Sequence, residues 1–196
     1  MKQIDLFTTP IWHDKIPQDF DIEWLINLAY ELKADNPLND CNGWQSFDQE
    51  HQMKFAFPIP KGLKIQQFLD DMMTNISREL GLPQVSLLNY WLNINPHGGY
   101  NNLHKHRNAL LVGNLYLQVP DKESGGIEFV RDDDADYYVP VDAEYNSVIG
   151  TRKIINPDTR DVLVFPGWLP HAVKTNKASQ DRISLSFNYG AISDAN

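Results

Sequence analysis

The sequence predicts a mainly β protein, a β-sandwich or jelly roll with two helices packed on one sheet. Three observations lead to this prediction. The chain has 196 residues, which suits one compact domain. Residues 1–82 contain two apolar patterns with a helical period. Residues 83–190 instead carry short apolar segments with the alternation of strands, separated by turns that contain Gly or Pro.

The N-terminal region, residues 1–82, is expected to form a helical support for the β core. Two short strands are predicted first, at Ile4–Phe7 and Ile11–Ile16. A helix follows because apolar side chains recur at every fourth position: Phe20, Trp24, Leu28 and Leu32. Asp19 or Asp21 can cap it. A second amphipathic helix is predicted over residues 63–80 and ends at Gly81.

The C-terminal region, residues 83–190, is expected to form the β core. Its predicted strands are Val85–Asn95, Ala109–Val119, Ile127–Arg131, Tyr137–Val141, Asn146–Asn156, Asp161–Phe165 and Arg182–Tyr189. No internal repeat or linker interrupts the pattern. We therefore expect residues 1–196 to form a single domain with a helical part and a β part.

Composition and charge exclude several classes of protein. Seventeen basic residues against 26 acidic ones give a net charge of −9, which disfavours a nucleic-acid partner. No apolar run approaches the ~20 residues that a membrane span needs. Cys41 is the only cysteine, so no intramolecular disulfide can form, which fits a reducing compartment. We expect a cytoplasmic protein, and the N-terminal helices allow a homodimer.

A pair of histidines precedes one predicted strand. His104 and His106 are separated by Lys105, and we expect all three on a strand that continues through Ala109. Residues i and i+2 of a strand share a face, so both imidazoles can reach one metal ion. The pair alone is weak evidence, because two surface histidines at the start of a strand produce the same pattern.

A second set of polar residues follows a third histidine, His171, which ends an apolar strand and a proline turn. Arg182, Ser184 and Ser186 share one face of the last strand, and the apolar residues between them share the other. If the apolar face meets the second helix, the arginine points into the barrel. A buried arginine needs an anionic partner, and its shape suits a carboxylate. A ligand carboxylate and a structural ion pair with a buried Asp or Glu both remain open.

Together these residues resemble the iron(II)/2-oxoglutarate-dependent dioxygenases. The likeness is to their prolyl-4-hydroxylase-like branch and to a family of 2-oxoglutarate oxygenases from marine bacteria and phages. It covers about Val85 to Tyr189. The segments that carry it are Trp91-Leu92-Asn93, His104-Lys105-His106, Gly125-Gly126-Ile127-Glu128-Phe129, Phe165-Pro166-Gly167-Trp168-Leu169-Pro170-His171 and Arg182-Ile183-Ser184.

The resemblance implies a double-stranded β-helix (jelly roll, cupin-like) that uses Fe(II), O₂ and 2-oxoglutarate. It implies that the metal ligands are His104, His106 and His171. It implies that the residues at the 2-oxoglutarate pocket are Arg182 and Ser184, together with Asn93, Tyr116 and Asn188. The implied reaction hydroxylates a peptide, a protein side chain or a small metabolite and decarboxylates 2-oxoglutarate to succinate. Trp168 is the candidate for substrate contact, because it lies three residues before His171.

One position departs from the usual pattern of two histidines and a carboxylate, because His106 occupies the carboxylate position. Three explanations are open. The site is a true three-histidine iron centre, or Asp132 or Asp134 supplies the carboxylate, or the site binds without catalysis. Two other functions follow from these alternatives. One is a three-histidine metal dioxygenase that does not use 2-oxoglutarate, and the other is a non-catalytic, ligand-binding β-sandwich.

Overall fold

The computed structural model describes residues 2, 7–35, 42–46, 61–132 and 150–192. Its helices are α1 (Glu23–Asp35) and α2 (Lys61–Glu79). Its strands are β1 (Trp12–Lys15), β2 (Trp44–Gln45), β3 (Val85–Asn95), β4 (Asn101–His104), β5 (Leu111–Gln118), β6 (Ile127–Val130), β7 (Arg152–Ile155), β8 (Asp161–Pro166), β9 (His171–Val173) and β10 (Arg182–Ala191).

The strands form two antiparallel sheets. The larger has the order β1-β8-β5-β10-β3-β2, and the smaller has the order β4-β9-β6-β7. Apolar side chains of β5 and β8 pack against Ile127 and Phe129 of β6, so the two sheets face each other. The predicted jelly-roll architecture is confirmed. Strands β1 and β2 belong to the larger sheet, so the region before residue 83 also contributes edge strands.

Both helices cover the outer face of the larger sheet. Ile65 and Leu69 of α2 pack in one core with Ile183, Leu185 and Phe187 of β10. The side chains between these three β10 residues point the other way, toward the smaller sheet, because strand residues alternate between faces. The predicted division of β10 into an apolar face toward the helix and a polar face toward the interior is confirmed. No described helix is long and apolar enough to cross a membrane.

Most predicted elements in the described part of the chain are present, with one correction that affects the site. Strand β3 has the predicted bounds, and α1 begins where the Asp21 carboxylate accepts a hydrogen bond from the Glu23 amide at 3.2 Å. The predicted strand from His104 through Ala109 is wrong. Strand β4 ends at His104, the chain turns with Asn108 in the left-handed region (φ 65°), and β5 begins only at Leu111.

Several predictions fall wholly or partly outside the described part of the chain. The strand at Tyr137–Val141 lies outside the described residues, and so does most of the one at Ile4–Phe7. The segment Asn146–Asn156 is described from residue 150, where it contains β7. Strands β2, β4 and β9 were not predicted, because runs of two to four residues carry too little alternation.

Candidate metal and cosubstrate site

Three histidines converge between the two sheets. His104 ends β4, His171 begins β9, and the two residues are direct neighbours across the ladder of these strands. His106 lies two residues after the end of β4. One ligand atom of each ring lies within 4.8 Å of the others, and within the described ranges no other group of His, Cys, Asp and Glu is gathered in this way. His106 thus joins the group from an irregular segment that follows β4, and not from the continuous strand that was expected.

Oxygen acceptors fix the orientation of all three rings. The Nδ1 atoms lie at hydrogen-bond distance from three oxygens: His104 from Asn102 O (2.7 Å), His106 from Asn188 Oδ1 (2.7 Å) and His171 from Leu169 O (2.9 Å). A carbonyl oxygen only accepts, so each Nδ1 carries the proton and donates it. The lone pair of each ring is therefore on Nε2. Metal-binding histidines show this same division between the two ring nitrogens.

Burial keeps two of these rings neutral. His104 is exposed, His106 is half-buried and His171 is buried. Desolvation, together with repulsion from His104, lowers the pKa of His106 to about 4 and that of His171 to about 3. Only a neutral imidazole can donate a lone pair to a metal. The site is therefore in its metal-binding form at neutral pH without having to lose protons from these two rings.

No carboxylate joins the three histidines among the described residues. The Asp132 carboxylate instead forms an ion pair with Lys105 Nζ at the surface, and Asp134 lies outside the described residues. Imidazole ligands suit Fe(II), and they also suit Zn(II), Cu(II) and Ni(II). The donor set therefore fits an iron site, but its selectivity for Fe(II) over these other metals is lower than that of a site that includes a carboxylate.

The turn before His171 is hydrogen-bonded to the segment that contains His106. The His106 amide donates to Gly167 O at 3.0 Å, and the Gly167 amide donates to Leu110 O at 3.0 Å. This close approach needs a glycine, because a Cβ at position 167 would lie 2.3 Å from Ala109 O. Two of the three histidines are thus fixed to each other through backbone hydrogen bonds.

Arg182 is buried in the same cavity, with 2% of its surface exposed. Its Nη1 donates to Ser124 O (3.3 Å) and Gly125 O (2.9 Å), and its Nη2 donates to Asn95 Oδ1 (2.9 Å). All three acceptors are neutral. In the described part of the chain, no carboxylate lies within ion-pair distance of Arg182. Burial therefore lowers the pKa of this guanidinium.

Arg182 keeps donors that no acceptor in the described part of the chain uses. Its Nε is buried and has no hydrogen-bond partner, and Nη2 uses only one of its two hydrogens for Asn95. The Nε–H and one of the two Nη2–H groups of a planar guanidinium share an edge, and such an edge can bind a carboxylate with two parallel hydrogen bonds. The structural ion pair that the sequence left open is absent from the described residues, and the buried cation keeps an Nε–H with no partner there.

A scan against protein-family models matches residues 89–188 to the family described as "Putative 2OG-Fe(II) oxygenase". The match covers half of the chain and includes both the three histidines and Arg182. The chain belongs to the 2OG-Fe(II) oxygenase family. Its implied cofactors and cosubstrates, Fe(II), 2-oxoglutarate and O₂, agree with the three-histidine group. The resemblance seen in the sequence is thereby confirmed. A search of curated proteins finds no match.

Solved structures share the fold of this 2OG-Fe(II) oxygenase at low identity. HygX from Streptomyces hygroscopicus, with nickel and 2-oxoglutarate bound, is 15% identical, with a TM-score of 0.61 and coverage of 95% of this chain and 84% of its own. AviO1 from Streptomyces viridochromogenes is 18% identical, with a TM-score of 0.64 and coverage of 95% of this chain and 91% of its own. A Pseudomonas putida prolyl-4-hydroxylase is 17% identical, with a TM-score of 0.62 and coverage of 94% of this chain and 94% of its own. These likenesses confirm the double-stranded β-helix.

Most side chains predicted for the oxygenase site line one cavity. They are His104, His106, His171, Arg182, Ser184, Asn93 and Tyr116. Burial raises the pKa of Tyr116 to about 12, so its phenol stays neutral beside Arg182. Asn188 does not line this cavity, and its amide bonds to His106 and Asn89 instead. Trp168 lies outside the cavity in the turn between β8 and β9, with 56% of its surface exposed.

An amide network in the same cavity was not found from the sequence. Asn93 Oδ1 accepts from Gln45 Nε2 (2.9 Å) and Trp91 Nε1 (3.1 Å), and Asn93 Nδ2 donates to Ser186 Oγ (2.8 Å). Gln45 lies on the two-residue strand β2, which no pattern indicated. The alternation of β3 was the one available signal, since it places Asn89, Trp91, Asn93 and Asn95 on one face.

Proposed function

We propose that the chain is a hydroxylase in which His104, His106 and His171 bind Fe(II) and Arg182 binds the distal carboxylate of 2-oxoglutarate. One observation carries this proposal. A buried guanidinium with no carboxylate partner among the described residues and an unpartnered Nε–H lines the same cavity as three imidazoles whose Nε2 lone pairs are unused. A dianionic cosubstrate with one chelating end and one distal carboxylate matches both halves of that cavity.

Each residue then has a defined task. When bound, iron and 2-oxoglutarate supply the activation of O₂ that couples decarboxylation to succinate with hydroxylation of a C–H bond. The three histidines hold the ion on one side. Arg182 orients the cosubstrate, and the hydroxyls of Tyr116 and Ser184 line the cavity beside it and can bond to the same carboxylate. Asn93 holds Trp91 and Gln45 in place around the cosubstrate.

The substrate is proposed to be a peptide, a protein side chain or a small metabolite. Structures with the same fold include a prolyl-4-hydroxylase, and HygX was also solved with hygromycin B bound. We infer that the substrate approaches from the side of His104, which is the exposed member of the metal group. Trp168 is proposed to contact it, because this indole is more than half exposed and lies three residues before His171.

The test is Fe(II)-dependent formation of succinate from 2-oxoglutarate under air. The wild-type chain is expected to form succinate, and His171→Ala is expected to lose both bound Fe(II) and succinate formation. His97→Ala is the matched control, because the His97 ring bonds to Ala178 O at 3.1 Å and lies outside the metal group. Equal succinate formation by His171→Ala contradicts the assignment.

A three-histidine dioxygenase that does not use 2-oxoglutarate is the second candidate. The lack of a carboxylate ligand among the described residues favours it. Bound iron in a protein that has no affinity for 2-oxoglutarate would support this candidate. The cytoplasmic location and the lack of a nucleic-acid partner stay predictions from the sequence, supported by the single cysteine and the net charge of −9 respectively. The homodimer stays a prediction that rests on the N-terminal helices alone.

A further inference from the structure

A chain of hydrogen bonds runs from β3 through β10 to one metal-group histidine. Asn89 and Asn188 are direct partners across the ladder of β3 and β10. Asn188 Nδ2 donates to Asn89 Oδ1 at 2.7 Å, and Asn188 Oδ1 accepts from His106 Nδ1 at 2.7 Å. The register of β10 shifts directly after Asn188. Such a bulge can re-aim a side chain at the end of a regular alternation.

We propose that Asn188 is a positioning residue that fixes the Nδ1-protonated tautomer of His106 and so presents its Nε2 to the metal. The inference rests on the proposed function, because it takes His106 as a ligand. It assigns to Asn188 a task different from contact with 2-oxoglutarate. Asn89 has the supporting task of setting the direction of the Asn188 amide.

The direction of the amide chain decides which ring nitrogen can bind. An asparagine amide has one accepting end and one donating end. With its NH₂ group bonded to Asn89, Asn188 offers oxygen to His106, and the ring proton stays on Nδ1. In the reversed chain Asn188 would offer NH₂, the ring proton would move to Nε2, and the lone pair would be lost to the metal.

The other metal-group histidines do not depend on a side chain in this way. Backbone carbonyls of Asn102 and Leu169 accept from His104 and His171, and no substitution of a side chain removes those acceptors. The ring of His106 is also held by packing, since it stacks on Trp91 with centroids 5.8 Å apart and planes at 22°. Removal of the Asn188 amide is therefore expected to change the tautomer of His106 more than the place of its ring.

The experiment measures the tautomer and the metal affinity separately. Proteins labelled with ¹⁵N-histidine are studied without metal by two-bond ¹H–¹⁵N correlation spectra, and Fe(II) affinity is measured under argon by calorimetry. Wild type is expected to show His106 protonated on Nδ1. Asn188→Leu is expected to lose this preference and to bind Fe(II) about 10- to 100-fold more weakly, the usual effect of losing the partner of a ligand histidine.

Two acceptor-only variants serve as matched controls. Asn188→Asp keeps an oxygen for His106, and Asn89→Asp can only accept from Asn188, so both preserve the direction of the chain. Both are expected to retain the Nδ1-protonated tautomer and Fe(II) affinity at or above that of wild type. A purely structural role for Asn188 would instead lower the melting temperature without moving the tautomer.

The outcomes separate this inference from the function on which it rests. Wild-type tautomer and affinity in Asn188→Leu would overturn it, as would loss of the tautomer in Asn188→Asp. If Asn188→Leu does not fold, the two aspartate variants decide, and an Nε2-protonated His106 in either one overturns the proposal. If wild type binds no Fe(II), the proposed metal site fails, while the spectra of the metal-free protein still test the task of Asn188.

Discussion

What a single residue of this site can bind depends on which of its donor and acceptor atoms have no partner within the protein. Arg182 is held by two carbonyls and by Asn95, none of them charged, and its Nε–H edge is left over. The sequence indicated a buried arginine aimed inward. It could not indicate the neutral partners, because Ser124 and Asn95 reach Arg182 from positions 58 and 87 residues away along the chain.

A carboxylate placed next to Arg182 is expected to compete with the ligand carboxylate for this guanidinium and to weaken ligand binding. Asn95→Asp keeps an oxygen on Nη2 and adds a charge that pairs with the guanidinium. Because hydrogen bonds to charged groups contribute about 1.5–3 kcal/mol, 2-oxoglutarate should bind about 10- to 100-fold more weakly. Fe(II) affinity should stay unchanged. Calorimetry with each ligand measures the two effects.

Asn101→Ala is the control for this prediction. Asn95 Nδ2 donates to Asn101 Oδ1 at 3.2 Å, and Asn95→Asp also removes this bond. Asn101→Ala removes the same bond without adding charge beside Arg182, so it should bind 2-oxoglutarate nearly as wild type does. An unchanged 2-oxoglutarate affinity in Asn95→Asp would show that Arg182 has a structural role only.

At the scale of elements, the site depends on short strands and turns that sequence periodicity does not reveal. The alternation of β10 was predicted correctly because its ten residues give a clear pattern. The approach of His106 to His104 is predicted correctly but for the wrong reason, since β4 ends at His104 and His106 lies in the irregular segment after it. The contact of Gly167 with that segment also lay beyond prediction, because it joins segments about 60 residues apart in sequence.

Gly167→Ala is expected to disturb the metal group through this contact. The new Cβ would lie 2.3 Å from Ala109 O, which is backbone and cannot rotate away. Overpacking of this kind costs about 1–3 kcal/mol, and it should displace His106 and weaken Fe(II) binding. Urea unfolding and Fe(II) calorimetry provide the two readouts.

Gly81→Ala is the control for this prediction, because it replaces a glycine at a position where the new Cβ meets no other atom of the described residues. Gly81 has a φ of 65°, and no atom lies within 4 Å of the place that a Cβ would take, so only backbone strain results. The replacement should lower the free energy of unfolding by about 1 kcal/mol and leave Fe(II) affinity unchanged. Wild-type Fe(II) affinity in Gly167→Ala would mean that the Gly167 turn does not position His106.

In the whole molecule, a large core behind the larger sheet supports a second, smaller core between the sheets, and the metal group lies at the edge of this smaller core. The larger core joins both helices to one face of the sheet, and the smaller one includes Phe129 and Phe165, whose rings pack near His171. The stability of the metal-free protein therefore depends on keeping His106 and His171 neutral in a partly apolar interior.

This dependence predicts how stability changes with pH. In the unfolded chain a histidine has a pKa near 6.5, whereas the folded chain lowers the pKa of His106 to about 4 and that of His171 to about 3. Below pH 6.5 the unfolded state binds more protons, so the free energy of unfolding falls as the pH falls. Between pH 7 and pH 5 the loss is about 2 kcal/mol for each histidine.

Urea unfolding of the metal-free protein at pH 7 and pH 5 measures this loss. A His106→Gln/His171→Gln double variant is the control, because it removes both groups and should show a smaller difference between the two pH values. Equal urea midpoints for wild type at both pH values would contradict the buried, neutral state of these rings.

An anaerobic titration with Fe(II) and then 2-oxoglutarate, followed by the visible charge-transfer absorption of an iron–keto acid chelate, tests whether this cavity binds both. We expect a saturable band in wild type. The Arg182→Ala variant should bind Fe(II) normally and need far more 2-oxoglutarate to reach saturation. A wild-type protein that binds Fe(II) and develops no band at any 2-oxoglutarate concentration would contradict the proposal that this cavity binds Fe(II) and 2-oxoglutarate together.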